Sequence, residues 1–169
     1  MPRARHIRLC ALSPTKSSGL IKFKIMHTLA ASSVHCVFST KDRANLIPDP
    51  EPAWQYISGI ARTKKIPLIA IGGTHNHIHL LLAVPPAMPL ARAVQDLKGN
   101  SSRWLAEISR GFGWQQGYGA FSVSESRRQA VVDYIAAQEQ HHRKWSFEQE
   151  FLTLLRNSKI EFDPKYIFA

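Results

Sequence analysis

The sequence predicts an α+β domain of the ferredoxin-like or RRM-like kind, with an antiparallel sheet and helices on one face. Three observations support this class. The elements follow the order β, α, β, β, α, β, α, α; two strands are joined directly across a turn that contains Gly-Gly; and no repeat, low-complexity linker or domain boundary interrupts the order. One face of such a sheet is expected to stay open to a ligand.

The first half of the domain holds three of the predicted strands and one helix. Residues 32–40 alternate as a strand with mixed faces, and residues 41–52, with three prolines, are typical of a loop. Residues 53–65 carry apolar side chains at helical spacing and end in basic residues, which suits a helix C-terminus. Residues 66–86 indicate a pair of strands closed by a double proline.

The second half is mostly helical by the same criteria. The predicted elements are a helix over 88–109, a strand over 117–126, helices over 127–142 and 146–159, and an irregular tail over 160–169. The segment "KGNSS" inside the first of these helices is a candidate kink. Ser146 and Gln149 have capping-box spacing, which predicts the start of the last helix.

Composition and charge indicate a globular protein with a polyanionic partner. The chain has 169 residues, 44% hydrophobic and 20% charged, which is enough to form a core without disulfides or a structural metal. Its net charge of +10 points most simply to nucleic acid. The first 25 residues contain six basic residues and no acidic one. We expect 1–25 to be a basic, poorly ordered extension, with a transit peptide or nucleic-acid arm as alternatives, and 26–169 to be the single domain.

Two further observations concern the compartment. No apolar stretch approaches the ~20 residues of a membrane helix, so no membrane partner is expected. The two cysteines, Cys10 and Cys36, form no motif, which fits a reducing cytosol. A cytoplasmic location is therefore expected.

The segment "HNHIHLLLAV" at residues 75–84 holds three histidines at alternate positions. On a strand, His75, His77 and His79 share one face, and the apolar residues between them form the other. His77 and His79 would then lie near enough to bind one metal. The alternative is that they are polar residues on an exposed face, and the spacing alone does not decide between the two.

A second constellation lies in "VVDYIAAQEQHH". On a helix, Tyr134, Gln138 and His141 fall at i, i+4 and i+7, which is one stripe. The alternative is a partly solvated, hydrogen-bonded face. A phenol is a poor nucleophile at its usual pKa of about 10, and a divalent cation that polarises a phosphodiester would make its attack feasible. Mg²⁺ or Mn²⁺ fits phosphate chemistry, and imidazole ligands favour Mn²⁺.

The ordered set of motifs is similar to that of the small single-tyrosine HUH transposases of bacterial insertion sequences, which include the REP-associated tyrosine transposases. The similarity runs from about Met26 to the C-terminus. It includes "VHCVFSTKDR", "GGTHNHIHLLLAVPP", "LKGNSSRWL" and "GYGAFSVSESRRQAVVDYIAAQEQHH". In this family HUH denotes histidine–hydrophobic–histidine, here His77-Ile78-His79.

The resemblance implies roles for four residues: His77 and His79 as metal ligands, Gln138 as the third ligand and Tyr134 as the nucleophile. It implies cleavage and rejoining of single-stranded DNA with hairpin ends through a 5′-phosphotyrosine intermediate, by a metal-dependent homodimer associated with the nucleoid through DNA. One position departs from the family, which often has an acidic residue where this chain has Asn76. By strand alternation Asn76 is expected to face away from the metal pair.

The remaining candidates are contacts to DNA. Six basic residues are candidates for phosphate contacts: Lys41, Arg43, Lys98, Arg103, Arg127 and Arg128. Trp114 or Tyr118 is a candidate for stacking on an unpaired base, or equally part of a packed turn. Two other functions stay open at this point: a domesticated, non-catalytic protein that binds DNA or RNA hairpins, and a metal-dependent hydrolase that uses water.

Overall fold

A computed structural model describes residues 32–168 of the chain. The expectations for the basic extension at 1–25 and for Cys10 concern residues outside this range. The strands are β1 (Ser33–Ser39), β2 (Leu68–Gly73), β3 (His77–Ala83) and β4 (Gly119–Val123). The helices are α1 (Pro50–Thr63), α2 (Leu90–Ile108), α3 (Arg128–Ala136), α4 (Gln138–His141), α5 (Phe147–Asn157) and α6 (Pro164–Ile167). Short 3-10 turns cover Lys41–Arg43 and Glu125–Arg127.

The four strands form one antiparallel sheet in the order β2-β3-β1-β4. This is the ferredoxin-like arrangement, in which β3 is inserted between β1 and β2 and the two central strands are β1 and β3. The register places Val37 opposite His79 and Ser39 opposite His77. The predicted α+β class and antiparallel sheet are confirmed.

Helices α1 and α2 pack on one face of the sheet and form the main hydrophobic core. Cys36, Ile78 and Leu80 contribute from the central strands, and Ile57 and Leu97 contribute from the helices. Helix α1 begins three residues before the predicted helix. The reason is that Asp49 accepts a hydrogen bond from the Glu51 backbone N–H, and Pro50 suits the first helical position.

The second face of the sheet carries the histidines and is covered by the C-terminal helices. Val37 and Phe121 of the strands pack against Phe147 and Leu155 of α5. This face was expected to stay open, whereas the structure closes much of it with α3, α4 and α5. The consequence is that His77 and His79 are fully buried.

The C-terminal helices differ from the predictions in two places. The helix predicted over 127–142 is divided at Ala137, whose φ of −93° and ψ of 9° end α3 before α4 begins. The tail predicted as irregular contains α6, which begins after Asp163 accepts a hydrogen bond from the Lys165 backbone N–H. The capping box of Ser146 and Gln149 is confirmed.

The predicted kink in α2 does not occur, since the helix is continuous over Leu90–Ile108. Ser101, in the middle of that helix, donates a hydrogen bond to the Leu97 carbonyl and accepts one from the Trp114 indole N–H at 3.0 Å. Within the described residues, no helix combines the length and the apolarity needed to span a membrane.

Candidate active site

The histidine strand begins at His77, so only two of the three histidines project from it. His77 and His79 lie on the face that α3, α4 and α5 cover. His75 instead lies in the turn before β3, where its Nδ1 is 2.8 Å from the Ile47 carbonyl oxygen. The expectation that all three share one face is wrong because strand alternation begins two residues later.

His77 is held by Asn76, the residue that departs from the family pattern. The Asn76 Oδ1 lies 2.7 Å from His77 Nδ1, and Thr74 donates its hydroxyl to the same oxygen. The expectation that Asn76 faces away is wrong because Asn76 belongs to the turn and not to the strand. Burial lowers the pKa of His77 to about 3, so its imidazole is neutral. With the proton on Nδ1, the Nε2 lone pair of His77 points toward α4.

His79 is held in a similar way by His35 on the neighbouring strand. His35 Nε2 lies 2.9 Å from His79 Nδ1, and the two rings stack with centroids 5.1 Å apart. Burial lowers the pKa of His35 to about 3, so His35 is neutral and its Nε2 can accept a hydrogen bond from His79 Nδ1. The Nε2 of His79 is a buried nitrogen that makes no hydrogen bond among the described residues, and it faces a Glu150 carboxylate oxygen at 3.3 Å.

Tyr134 reaches the histidines because α3 crosses β2 at a glycine. A Cβ on Gly72 would lie 2.3 Å from the carbonyl oxygen of Ile135, so no larger residue fits beneath the helix at this point. The Tyr134 ring lies 5.9 Å from the His79 ring, measured between centroids. The nucleophile candidate therefore lies beside the histidine pair of its own chain.

Gln138, the first residue of α4, is almost completely buried beside His77. Its Oε1 lies 3.3 Å from His77 Nε2, and its side-chain amide donates to Glu150 at 2.9 Å. Because His77 has its proton on Nδ1, its Nε2 is a hydrogen-bond acceptor, as is the Gln138 Oε1. The two atoms of the 3.3 Å pair are therefore both acceptors that face each other. The predicted stripe of Tyr134, Gln138 and His141 converges on this site even though the helix is divided.

Glu150 of α5 joins these groups, and the sequence prediction missed it. Its side chain is buried, with 3% of its surface exposed. Its carboxylate accepts hydrogen bonds from the Tyr134 hydroxyl, from Gln138 and from His142 Nε2 at 3.0 Å. The sequence does contain a signal for this residue. Glu150 lies three positions after Phe147 and four before Leu154, so an acidic side chain falls on the apolar stripe of an amphipathic helix.

His142 is the other missed residue, and it lies just after α4. Its Nδ1 bonds to the Trp145 carbonyl at 2.8 Å, which directs Nε2 toward Glu150. One ligand atom from each of His77, His79, His142 and Glu150 lies within 4.8 Å of the others.

The protonation states of the site follow from burial and from Glu150. Burial alone would raise the pKa of Glu150, but the hydrogen bond from His142, the nearby His79 imidazole and the hydrogen bond from Tyr134 hold it well below its usual range. Burial and the negative charge of Glu150 raise the pKa of Tyr134 far above that of a free phenol. The structure therefore holds a carboxylate beside a protonated phenol.

This donor set fits a divalent cation. Ligand atoms 2.0–2.2 Å from one ion lie about 3.0–4.3 Å from one another, and the His77–Gln138 and His79–Glu150 separations are both 3.3 Å. The unpartnered His79 Nε2 and the facing acceptors of His77 and Gln138 are atoms that a cation would satisfy. A neutral His77 imidazole and an ionised Glu150 carboxylate are protonation states that metal ligands require.

The comparison with protein families decides the class of the protein. The sequence profile described as "Transposase IS200 like" matches residues 28–138, about two thirds of the chain. The chain belongs to the family of IS200-like transposases. The matched range contains His77, His79, Tyr134 and Gln138, and it ends before His142 and Glu150.

Solved structures similar to the transposase support the same fold. A Deinococcus radiodurans R1 protein assigned as a transposase shares 25% identity and has a TM-score of 0.55, and the match covers 68% of this chain and 96% of that one. A REP-associated tyrosine transposase bound to a REP hairpin shares 14% identity with a TM-score of 0.54, and that match covers 71% and 73% of the two chains. A comparison with curated proteins finds no match.

The six basic residues predicted to contact DNA form two groups in the transposase: three have protein partners and three lie at exposed positions. Arg43 pairs with Glu148 at 3.0 Å, Lys98 donates to the carbonyls of Gln115 and Gly117, and Arg128 pairs with Glu125. These three side chains therefore already have protein partners. Exposed positions are held by Lys41, Arg103 and Arg127. A DNA contact by any of the six stays a prediction.

Proposed function

We propose that this transposase cleaves and rejoins single-stranded DNA through a covalent bond between Tyr134 and a 5′-phosphate. The observation that carries the proposal is the convergence of the Tyr134 hydroxyl and the two HUH imidazoles on one buried carboxylate. His79 Nε2 contacts one oxygen of the Glu150 carboxylate, and the Tyr134 hydroxyl contacts the other. Non-catalytic binding of DNA would not require a tyrosine hydroxyl at this point.

In the proposed reaction the Tyr134 oxygen attacks phosphorus in the DNA backbone. The O–P bond to tyrosine forms, the P–O3′ bond breaks, and the released strand ends in a 3′-hydroxyl. Glu150 accepts a hydrogen bond from the Tyr134 hydroxyl, so it is placed to take the phenol proton as the O–P bond forms and to give that proton to the leaving 3′ oxygen. Attack by a 3′-hydroxyl on the phosphotyrosine reverses these steps and rejoins DNA without water or ATP.

A divalent cation would be held by the histidines of the HUH motif together with Gln138, His142 and Glu150. When bound, it supplies positive charge that polarises the phosphate and offsets the effect of Glu150 on the Tyr134 pKa. Three imidazoles beside one carboxylate favour Mn²⁺ over Mg²⁺, which prefers oxygen ligands.

We also propose a DNA hairpin as the partner. A transposase of similar fold is bound to a REP hairpin, and the net charge of +10 suits a nucleic acid. From the family resemblance we also propose that the protein acts as a homodimer.

A denaturing gel tests the proposal. The protein is incubated with 3′-labelled single-stranded DNA that carries a hairpin with randomised flanks, in Mn²⁺ and in EDTA. We expect a slow-migrating covalent species for the wild type in Mn²⁺ and none for Tyr134→Phe, which should still bind the hairpin. Wild-type protein that binds DNA without forming this species would support a hairpin-binding protein, and free cleaved ends without an adduct would support a hydrolase.

A further inference from the structure

A cleft of about 370 Å³ opens beside the site, between α3 and α5. Its floor is formed by Tyr134, Glu150 and His35, so it ends at the candidate nucleophile. Its volume lies in the range of small-ligand pockets, large enough for one unpaired nucleotide but not for a duplex.

The walls of the cleft combine apolar and aromatic surface with positive charge. Val131 of α3 and Leu154 of α5 form opposite sides, and Trp145 lies at the rim. The Trp145 side chain is 48% exposed, which is unusual for the largest apolar residue type. Its ring is parallel to that of His141, with centroids 6.1 Å apart, so the orientation of the indole is supported from one side.

Three basic residues line the cleft or directly precede this tryptophan in the chain. Arg127 lines the cleft and forms no ion pair among residues 32–168. Arg143 and Lys144, both exposed, precede Trp145 in the chain. An exposed aromatic ring beside unpaired cations is the combination that single-stranded nucleic acid binding requires, because the ring stacks on a base and the cations contact phosphates.

We infer that this cleft binds one unpaired nucleotide of the DNA strand, next to the phosphate that Tyr134 attacks, with its base stacked on Trp145. The inference rests on the proposed function for the identity of the substrate. Trp114, one of the two aromatic residues expected to stack on a base, is unavailable because it packs edge-on against Phe38 and donates its indole N–H to Ser101. Tyr118, the other, lines a different cavity, whose lining does not include Tyr134. The exposed aromatic residue that shares a cleft with Tyr134 is Trp145, in the segment after α4.

The test uses fluorescence anisotropy in the Tyr134→Phe background, which removes cleavage. The probes are a labelled DNA hairpin with an unpaired flank of about six nucleotides and the same hairpin with a blunt end. Trp145→Ala should weaken binding of the flanked hairpin roughly 5- to 150-fold and leave the blunt hairpin unchanged. Trp145→Phe should retain most of the affinity, and Arg127→Ala should reduce the slope of log affinity against log salt by about 0.7 for the flanked hairpin.

Tyr118→Ala is the matched control, since Tyr118 is a 39% exposed aromatic residue that lines a different cavity. It should bind both probes like the parent. A flanked hairpin carrying 5-iodouracil should crosslink to the peptide that contains Trp145, which tests the inference without any substitution at that residue. His142 bonds to the backbone carbonyl of Trp145, so the side-chain variants leave that contact in place.

Equal affinity of Trp145→Ala and its parent for the flanked hairpin would overturn the inference. An equal loss of affinity for both hairpins would also overturn it. A change in the oligomeric state of Trp145→Ala, measured by light scattering, would overturn it as well and would assign the cleft to a second copy of the chain. The adduct gel with Tyr134 present reports on the proposed function separately. If Trp145 stacks on a base but no adduct forms, the inference about the cleft stands and the covalent mechanism is refuted.

Discussion

Substitution of Gly72 by alanine tests whether the close crossing of α3 over β2 places the nucleophile. The new Cβ would lie 2.3 Å from the Ile135 carbonyl oxygen, whereas ordinary contacts lie beyond 3.4 Å. Strand β2 or helix α3 must therefore move by about 1 Å, the difference between these distances. Either movement changes the position of Tyr134, the residue before Ile135, relative to His79, which pairs with Gly72 across the strands.

A displacement of about 1 Å at a reacting group can reduce the rate about 100-fold. We therefore expect Gly72→Ala to slow formation of the covalent adduct by about that factor in single-turnover assays. Overpacking of this size costs about 1–3 kcal/mol, which lowers Tm by roughly 2–12 °C for a chain of this length. Gly59→Ala is the control, because a Cβ there meets nothing within 4 Å. Adduct formation at the wild-type rate in a Gly72→Ala protein that melts like the wild type would refute the reasoning.

Three further predictions concern the metal site. Saturating Mn²⁺, at about 100 times its Kd, should stabilise the wild type by about 2.7 kcal/mol in a thermal melt. If the double variant His77→Ala, His79→Ala shows the same shift of Tm with Mn²⁺, these two histidines are not the metal ligands. His35→Phe should fill the same space without accepting the His79 proton, so calorimetry should show roughly 10- to 100-fold weaker Mn²⁺ binding, and an unchanged affinity would remove His35 from the support of His79. Glu150→Gln keeps the shape of the side chain but removes its charge, so adduct formation on the denaturing gel should be lost, and full-rate formation would exclude Glu150 as proton acceptor.

Most of the fold and half of the site could be predicted from local sequence patterns. The alternation of His77 and His79, the helical spacing of Tyr134 and Gln138, and the capping box at Ser146 each depend on residues a few positions apart. Such short-range patterns survive in the folded chain because they reflect the period of a strand or a helix.

The missed features depend on contacts between distant segments. Glu150 reaches the histidines only because α5 packs across the second face of the sheet, some 70 residues along the chain from β3. His35 reaches His79 through the antiparallel register of β1 and β3. The role of Asn76 was missed because it depended on where β3 begins, and a shift of one or two residues reverses which way a side chain faces.

The central claim is that the Tyr134 oxygen forms the bond to DNA beside the histidine pair. Mass spectrometry of the trypsin-digested adduct tests it most directly, because the expected peptide, residues 129–143, contains a single tyrosine. We predict that the nucleotide mass lies on Tyr134 and that the released DNA strand ends in a 3′-hydroxyl. Attachment at any other residue, or cleaved DNA with no modified peptide, would contradict the account.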